Sequence, residues 1–476
     1  MSTSTVPAGR RWLGLALIAA AQFVVIMDTS IIGVALPDLQ TELGFTPESL
    51  SWVFNAYVVA FGGLLLLGGR LSDLFGARKV FVTGWLILAA GSVLAGAASN
   101  VALEIAGRAV QGAGAALIAP AALSLLMALF GGTAELPRAF AIYGAAAPIG
   151  GTAGVFLGGV LTEYASWPWV FYITIPIAVL VVLLTPAALP RVLGQRGTVD
   201  ILGAITGTVG LAAVVYGIVR APEVGWASAE TLIALGVGAA LLLVFFVVQA
   251  RSRQPLLRLG IFRAPQLGAA NMAQLLLGAA WVPMWFFLNL YLQQVLGAGA
   301  FAAGAALLPM TVLIVLGMTL VAPRLLAKFG AKPLIVAGFG FLAAGLVWLA
   351  FARPDGAYVV DVLPASLVAA FGMALAFVPS LGTAIGAARP EETGVASGLV
   401  NTSYQIGSAV GLAALTVLSS AIAGSGTSPE ELTGGYTAAF IGAAVIAALG
   451  GIIAVVTLNA SQNARNATAE QEAVNV

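Results

Sequence analysis

Along the chain, apolar residues gather into long runs separated by short stretches of glycine, proline and charge. The runs fall near residues 12–36, 50–69, 79–98, 101–127, 139–162, 168–188, 199–219, 229–250, 265–293, 300–322, 333–351, 358–386, 395–422 and 436–458. A helix needs about 20 apolar residues to cross the hydrocarbon core of a bilayer. The pattern therefore predicts fourteen membrane-crossing helices, spans 1 to 14, joined by short connections.

Charge gives an independent check on that number. With the N-terminus cytoplasmic, Arg10, Arg11, Arg70, Arg78, Lys79, Arg138, Arg191, Arg196, Arg251, Arg253, Arg258, Arg263, Arg324, Lys328, Lys332, Arg389 and Arg465 all lie inside. Only Arg220 and Arg353 lie outside, and Arg108 lies within span 4. Seventeen against two is the bias that basic loops show toward the cytoplasm, and one missed span would scramble it. Arg10-Arg11 before an apolar run also fits a cleaved secretory signal. The run continues to Pro37, however, long enough to cross, and its removal would invert the charge bias. Both termini are expected in the cytoplasm and the chain in the inner (plasma) membrane.

Composition removes chemistry. Hydrophobic residues make up 60% and charged residues 8%, which excludes a soluble core-and-surface protein, where about a quarter of residues are charged. The chain has no cysteine and no histidine, which excludes disulfides, thiolate nucleophiles, Cys or His zinc sites and imidazole catalysis. A net charge of +1 offers no field for nucleic acid. No nucleophile–base pair, phosphate-binding loop or metal cluster suggests an enzyme, and no cofactor is expected.

The chain repeats itself. Leu39-Gln40-Thr41-Glu42-Leu43-Gly44 recurs as Leu292-Gln293-Gln294-Val295-Leu296-Gly297. Arg70-Leu71-Ser72-Asp73-Leu74-Phe75-Gly76-Ala77-Arg78-Lys79 recurs, with five identities in ten, as Arg324-Leu325-Leu326-Ala327-Lys328-Phe329-Gly330-Ala331-Lys332-Pro333. The offsets are 253 and 254 residues, so span 1 corresponds to span 9 and span 2 to span 10. The expected architecture is an all-α polytopic membrane protein of two six-helix pseudo-symmetric bundles, residues 1–190 and 261–476. Residues 191–260 form an inserted two-span hairpin between them. Parallel repeats of this kind build rocking transporters whose substrate site lies between the halves near the midplane.

At these residues the chain resembles the major facilitator superfamily, and within it the fourteen-span drug:proton antiporter branch. Gly69-Arg70-Leu71-Ser72-Asp73-Leu74-Phe75-Gly76-Ala77-Arg78-Lys79 is similar to the superfamily's signature between spans 2 and 3. The resemblance implies a conformational latch made by Gly69, Arg70, Asp73, Gly76, Arg78 and Lys79 that favours the outward-open state. Asp73 is suited to face a helix N-terminus or a neighbouring Arg, and Ala327 stands in its place in the second copy. Met27-Asp28-Thr29-Ser30-Ile31-Ile32-Gly33-Val34-Ala35-Leu36-Pro37 resembles the branch's span-1 signature. Gly107-Arg108-Ala109-Val110-Gln111-Gly112-Ala113-Gly114 resembles the span-4 motif tied to proton handling. Asn401, Gln405, Gly407 and Gly411 fit a weaker span-13 pattern. Span 5 departs from type, because Val155 replaces the signature proline, which bears on transport direction. Gly154, Gly158 and Gly159 keep a small-residue face for helix packing.

An ionised side chain inside a bilayer costs at least about 2.5–3.5 kcal/mol, so each one calls for a partner or a use. Asp28 lies roughly 6 Å and Arg108 roughly 9 Å outward of the middle of their antiparallel spans. They are within one helical turn in depth and can pair, with Glu104, at i, i+4 from Arg108, as the rival partner. Glu104 also suits a position reaching the outer headgroups, and Asp361 and Glu163 suit interfacial positions. Without histidine, a proton-coupled cycle must use a carboxylate that is ionised beside a cation and protonated when separated from it. Asp28 is the candidate, with Arg108 and Gln111. The expected cavity lining is Gln22, Asn55, Gln111, Asn271, Gln274, Asn289, Asn401 and Gln405. Trp281, Trp285, Phe286 and Phe287 can stack on a flat or cationic cargo or serve as core and lipid-facing residues.

The function expected is a proton-coupled exporter of amphiphilic, cationic or aromatic small molecules, driven by the proton gradient and working as a monomer in lipid. The alternative is an exporter of one endogenous metabolite or natural product.

Overall fold

Hydrocarbon offers backbone amides no water, so apolar runs of this length bury their polar groups in helices. In the computed structural model, the described residues are 8–45, 52–191, 194, 200–252, 255, 259–260, 266–389, 392–423 and 428–458, and among them the regular structure is entirely helical. Among the described residues, fourteen long helices follow in chain order. The first half holds α1 (Ala8–Leu43), α2 (Trp52–Phe75), α3 (Ala77–Gly96), α4 (Val101–Phe130), α5 (Leu136–Tyr164) and α6 (Trp169–Ala188). The inserted pair is α7 (Ile201–Val224) and α8 (Ala229–Arg251). The second half holds α9 (Leu267–Val295), α10 (Ala302–Phe329), α11 (Ala331–Leu349), α12 (Tyr358–Gly386), α13 (Thr393–Ala423) and α14 (Pro429–Thr457). Thirteen of these are long and apolar enough to cross a membrane. The other, α7, has crossing length, and Leu202–Ile218 is its described apolar stretch.

Packing repeats between the halves. α1 lies along α5 as α9 lies along α13, and α3 lies along α4 as α11 lies along α12. The turn inside the duplicated motif repeats as well. Gly76 sits at φ 91° between α2 and α3, and Gly330 at φ 80° between α10 and α11. A side chain at either φ is strained, so glycine lets the helices reverse over one residue. Span 2 was expected to end at residue 69, but α2 continues to Phe75. Arg70, Ser72 and Asp73 end the apolar pattern without ending the helix, because polar side chains outside the hydrocarbon cost a helix little.

The halves meet along α2 and α13 and along α5 and α10. α7 and α8 pack on each other and, through α7, on α2 and α13. A small apolar crevice between them is lined by Leu66, Gly207, Phe245 and Val395. The outer face of α8 exposes Leu232, Ile233, Leu243 and Val247. Exposed apolar side chains in such a row are the surface a bilayer covers.

Candidate functional site

Asn100 caps α4 by accepting the Leu103 N–H at 2.9 Å, which starts the helix and sets its register. That register brings Arg108 and Gln111, three residues apart, onto the side facing α1. Arg108 donates from Nη1 to Asp28 Oδ2 at 2.7 Å and to Gln111 Oε1 at 2.8 Å. Gln111 donates from Nε2 to Asp28 Oδ1 at 3.0 Å and to Ser92 Oγ at 2.9 Å. The Arg108 Nε–H goes to the Val53 carbonyl of α2 at 2.8 Å. Asp28, Arg108 and Gln111 are all 0% exposed. The three residues expected to handle protons thus form one closed knot across α1 and α4.

Further groups finish the knot. The guanidinium lies over the Tyr57 ring, 4.7 Å from its centroid, and Tyr57 Oη donates to the Val25 carbonyl at 3.3 Å. Ser92 and Thr174 share a 2.7 Å hydroxyl contact, which extends the network from α3 to α6. Tyr57, Ser92 and Thr174 were not expected from sequence, because lone hydroxyls in apolar runs carry no pattern. Glu104, the rival acid, does not pair with Arg108 in this arrangement. Nor does it reach the surface: it is 0% exposed, and neither carboxylate oxygen has a hydrogen-bond partner.

The polar groups expected to line the cavity do not converge on one point. Gln22 accepts from Tyr143 Oη at 2.8 Å in the first half. In the second, Gln274 donates to Ser380 Oγ at 2.8 Å and to the Phe377 carbonyl at 3.1 Å, and Asn271 accepts from Ser403 at 3.0 Å. Asn289 pairs with Gln293, and Asn401 with the Ser397 carbonyl, each within its own helix. No hydrogen bond is found for the half-buried Asn55 and Gln405 side chains. Trp281 and Phe287 are buried in the core, Trp285 is half-buried and Phe286 is exposed at the periphery. In this state Trp281 therefore has little surface left for cargo.

The signature segment meets the second half directly. The Asp73 carboxylate accepts the Gly394 N–H at 2.9 Å and the Val395 N–H at 3.1 Å, at the start of α13. These N–H groups have no partner within their helix, and the helix dipole favours an anion there. Gly69 and Gly394 allow the contact, since a Cβ on Gly394 would strike the Asp73 carboxylate. Arg78 donates to the Leu189 carbonyl at 3.3 Å, at the end of α6. Arg70 acts on Asp73 electrostatically, and Lys79 is exposed.

The α5 glycines divide. Gly154 lies against Met27 and Ser30 of α1, where a Cβ would stand 2.8 Å from the Met27 carbonyl oxygen, and Gly158 is buried. A Cβ on the half-buried Gly159 would meet nothing within 4 Å, so this position makes no close approach that requires glycine. α5 turns about 100° per residue, so the residue after Gly158 leaves the contact face. Val155, in place of the proline, reaches across the halves to Gly304 of α10, where a Cβ would stand 2.9 Å from its Cγ1. On the same seam, Thr152 and Thr311 share a 2.6 Å hydroxyl contact.

Asp361 is not merely interfacial. It holds Arg353 through two contacts, 2.9 Å from Nε and 3.1 Å from Nη2, and accepts the Ala357 N–H at 2.8 Å. Its hydrogen bond and charge push the Arg353 guanidinium above its ordinary value. The side chain of Glu163 and the basic residues Arg196, Arg253, Arg258, Arg263 and Arg465 lie outside the described residues.

Comparison with known proteins gives a consistent assignment. The sequence profile of the Major Facilitator Superfamily matches residues 18–412. A cephamycin export protein of Amycolatopsis lactamdurans is 41% identical, over 90% of this chain and 89% of that one. A puromycin resistance protein of Streptomyces alboniger is 36% identical, over 97% and 94%. In structure, the fold is similar to that of the human organic anion transporter MFSD10, with a TM-score of 0.67 at 17% identity, covering 94% of this chain and all of that one.

Proposed function

The chain belongs to the Major Facilitator Superfamily, a multi-pass membrane transporter rather than an enzyme, and from that premise we propose that it is a proton-coupled exporter of antibiotic-like small molecules. The observation that carries the reading is the fully buried Asp28–Arg108 pair, 2.7 Å long and tied by Gln111. A buried ion pair stabilises poorly for its desolvation cost, so its presence in hydrocarbon points to use.

Asp28 is ionised while Arg108 is beside it. When α1 shifts against α4 within the first half during the cycle and the guanidinium moves away, a proton from the outer side neutralises the carboxylate that can no longer be paired. A cationic cargo and a proton compete for that one carboxylate, which couples their binding reciprocally. Export then follows proton entry. If one proton exchanges for one monovalent cation, the cycle is electroneutral and the membrane potential, about 2.3 kcal/mol per charge per 100 mV, contributes nothing.

Residues 1–190 and 261–476 are read as the rocking halves, with residues 191–260 as the inserted pair. Asp73, seated on the start of α13, is read as the latch that holds the cytoplasmic ends together. Gln22, Asn55, Asn271, Gln274, Trp281, Trp285, Asn289, Asn401 and Gln405 are read as the cargo surface, which opens only as the halves part. We place the protein in the plasma membrane as a monomer with cytoplasmic termini, following the distribution of basic residues. The second reading is a narrower cargo, one natural product, since the cephamycin exporter and the puromycin resistance protein are each named for a single antibiotic.

Proteoliposomes loaded with a cationic dye test the reading. An imposed pH gradient should drive dye movement against its own gradient, and collapsing the pH difference with nigericin should stop it. Transport unchanged by nigericin would remove proton coupling from the account.

A further inference from the structure

Glu104 is the buried group that the mechanism above leaves unused. It belongs to the first turn of α4, where an acid ordinarily benefits from the free N–H groups and the helix dipole. Here it takes no such benefit, because both carboxylate oxygens are without a hydrogen-bond partner and the residue is 0% exposed. Its chain neighbours Leu103 and Ile105 pack against an apolar cluster at that end of the bundle that includes Ile31, Ile32, Ala95 and Phe171. The charged groups acting on it are Arg108 on its own helix and Asp28 on α1. Gln111, bonded to both members of that pair, and Tyr57 of α2, over the guanidinium, are its other polar neighbours, with Ser92 of α3 bonded to Gln111.

Arg108 has a matching vacancy. Its Nε and Nη1 are both engaged, but Nη2 is buried without a hydrogen-bond partner. One turn away, on the same helix face, stands the acid with two unused oxygens. An ionised carboxylate left unpaired in an apolar site is far more costly than a neutral carboxyl.

We propose that Glu104 is a second proton-binding group of the transporter, sharing Arg108 with Asp28 and receiving the proton before it. The proposal rests on the reading of Asp28 given above. In the arrangement seen, Asp28 is ionised and holds Arg108, and Glu104 carries a proton. Transfer of that proton through entering water leaves Glu104 ionised and Asp28 neutral, and the guanidinium turns its free Nη2 to Glu104. One acid is ionised and one cation present before and after, so the step adds no net charge to the membrane interior. With the N-terminus cytoplasmic, α4 starts at the outer side, so Glu104 stands between the outside and Asp28. The proton leaves Asp28 inward when the cytoplasmic side opens.

Glu104→Gln and Glu104→Asp in proteoliposomes test this, with dye counterflow at equal pH and dye accumulation under an imposed pH gradient measured on the same vesicles. Glutamine keeps the shape and cannot release a proton. The ratio of driven accumulation to counterflow should fall about tenfold in Glu104→Gln, within the usual range of coupling free energies, and recover in part in Glu104→Asp. An unchanged ratio would overturn the proposal, whether both rates stay at wild-type level or fall together through a packing defect. The Asp28 reading fails separately, if Asp28→Asn matches wild type in the same vesicles.

Discussion

Among the described residues, two Arg–Asp pairs are alike in distance and differ in kind. Arg353 meets Asp361 with two hydrogen bonds, better geometry than the other pair has, but its side chain is 59% exposed. Arg108 meets Asp28 with one, and both are 0% exposed. At the rim, water solvates the charges whether or not they pair, and salt screens what attraction remains. In the interior there is no such alternative: separation of the pair must be met by a proton, a cargo charge or another partner. The rim pair pins the segment before α12, with Tyr291 Oη donating to the Arg353 carbonyl at 2.6 Å. The interior pair is the one that can act as a switch.

The largest effect should come from Arg108→Ala. It takes the cation from buried Asp28, which must then stay charged beside Gln111 alone or take up a proton, a loss on the order of 3–5 kcal/mol in thermal or chemical denaturation in detergent. Adding Asp28→Leu should restore much of that stability while transport stays absent, because an apolar pair fills the space without the charge. A double variant no more stable than Arg108→Ala would mean that the cost lies in packing against Tyr57 rather than in charge.

The next effect concerns the latch. Asp73→Ala removes two hydrogen bonds, each worth about 1 kcal/mol net, and should shift the population toward a cytoplasm-open state by about thirtyfold. Spin-label distances between the cytoplasmic ends of α2 and α13 measure this directly. A distance distribution identical to wild type would show that Asp73 holds nothing closed.

The smallest effect should come from Arg353→Gln. Transport should match wild type, and any loss of melting temperature should vanish in high salt. A loss of transport there would erase the distinction between rim and interior on which the comparison depends.

Much of this arrangement was legible in the sequence, for definite physical reasons. The bilayer imposes one length on each span, and the cytoplasm collects basic residues, so hydropathy and charge point to the same fourteen helices. Asp28 and Arg108 were found because charge is rare in such runs and their depths agree. Asp73 was placed by its motif, although its partners, the Gly394 and Val395 amides, lie 321 and 322 residues away and leave no mark in sequence. Ser92, Thr174 and Ser380 were invisible because a hydroxyl can return its hydrogen bond to its own helix. The isolation of Glu104 was not legible, since i, i+4 spacing left it a rival to Asp28 for Arg108, and the fold gives the guanidinium to Asp28 and leaves both Glu104 oxygens without a partner. The expected cargo residues were chosen by polarity alone. Polarity does not distinguish a side chain that faces a cavity from one, like Gln274, already satisfied by a neighbouring helix.

The most direct measurement follows proton and dye fluxes together in one vesicle preparation, for wild type and Asp28→Asn. Wild type should show protons moving opposite to the dye in fixed ratio, and Asp28→Asn should abolish the coupled proton flux and the uphill dye movement with it. Undiminished uphill transport by Asp28→Asn, accompanied by the same proton flux, would contradict the account at its centre.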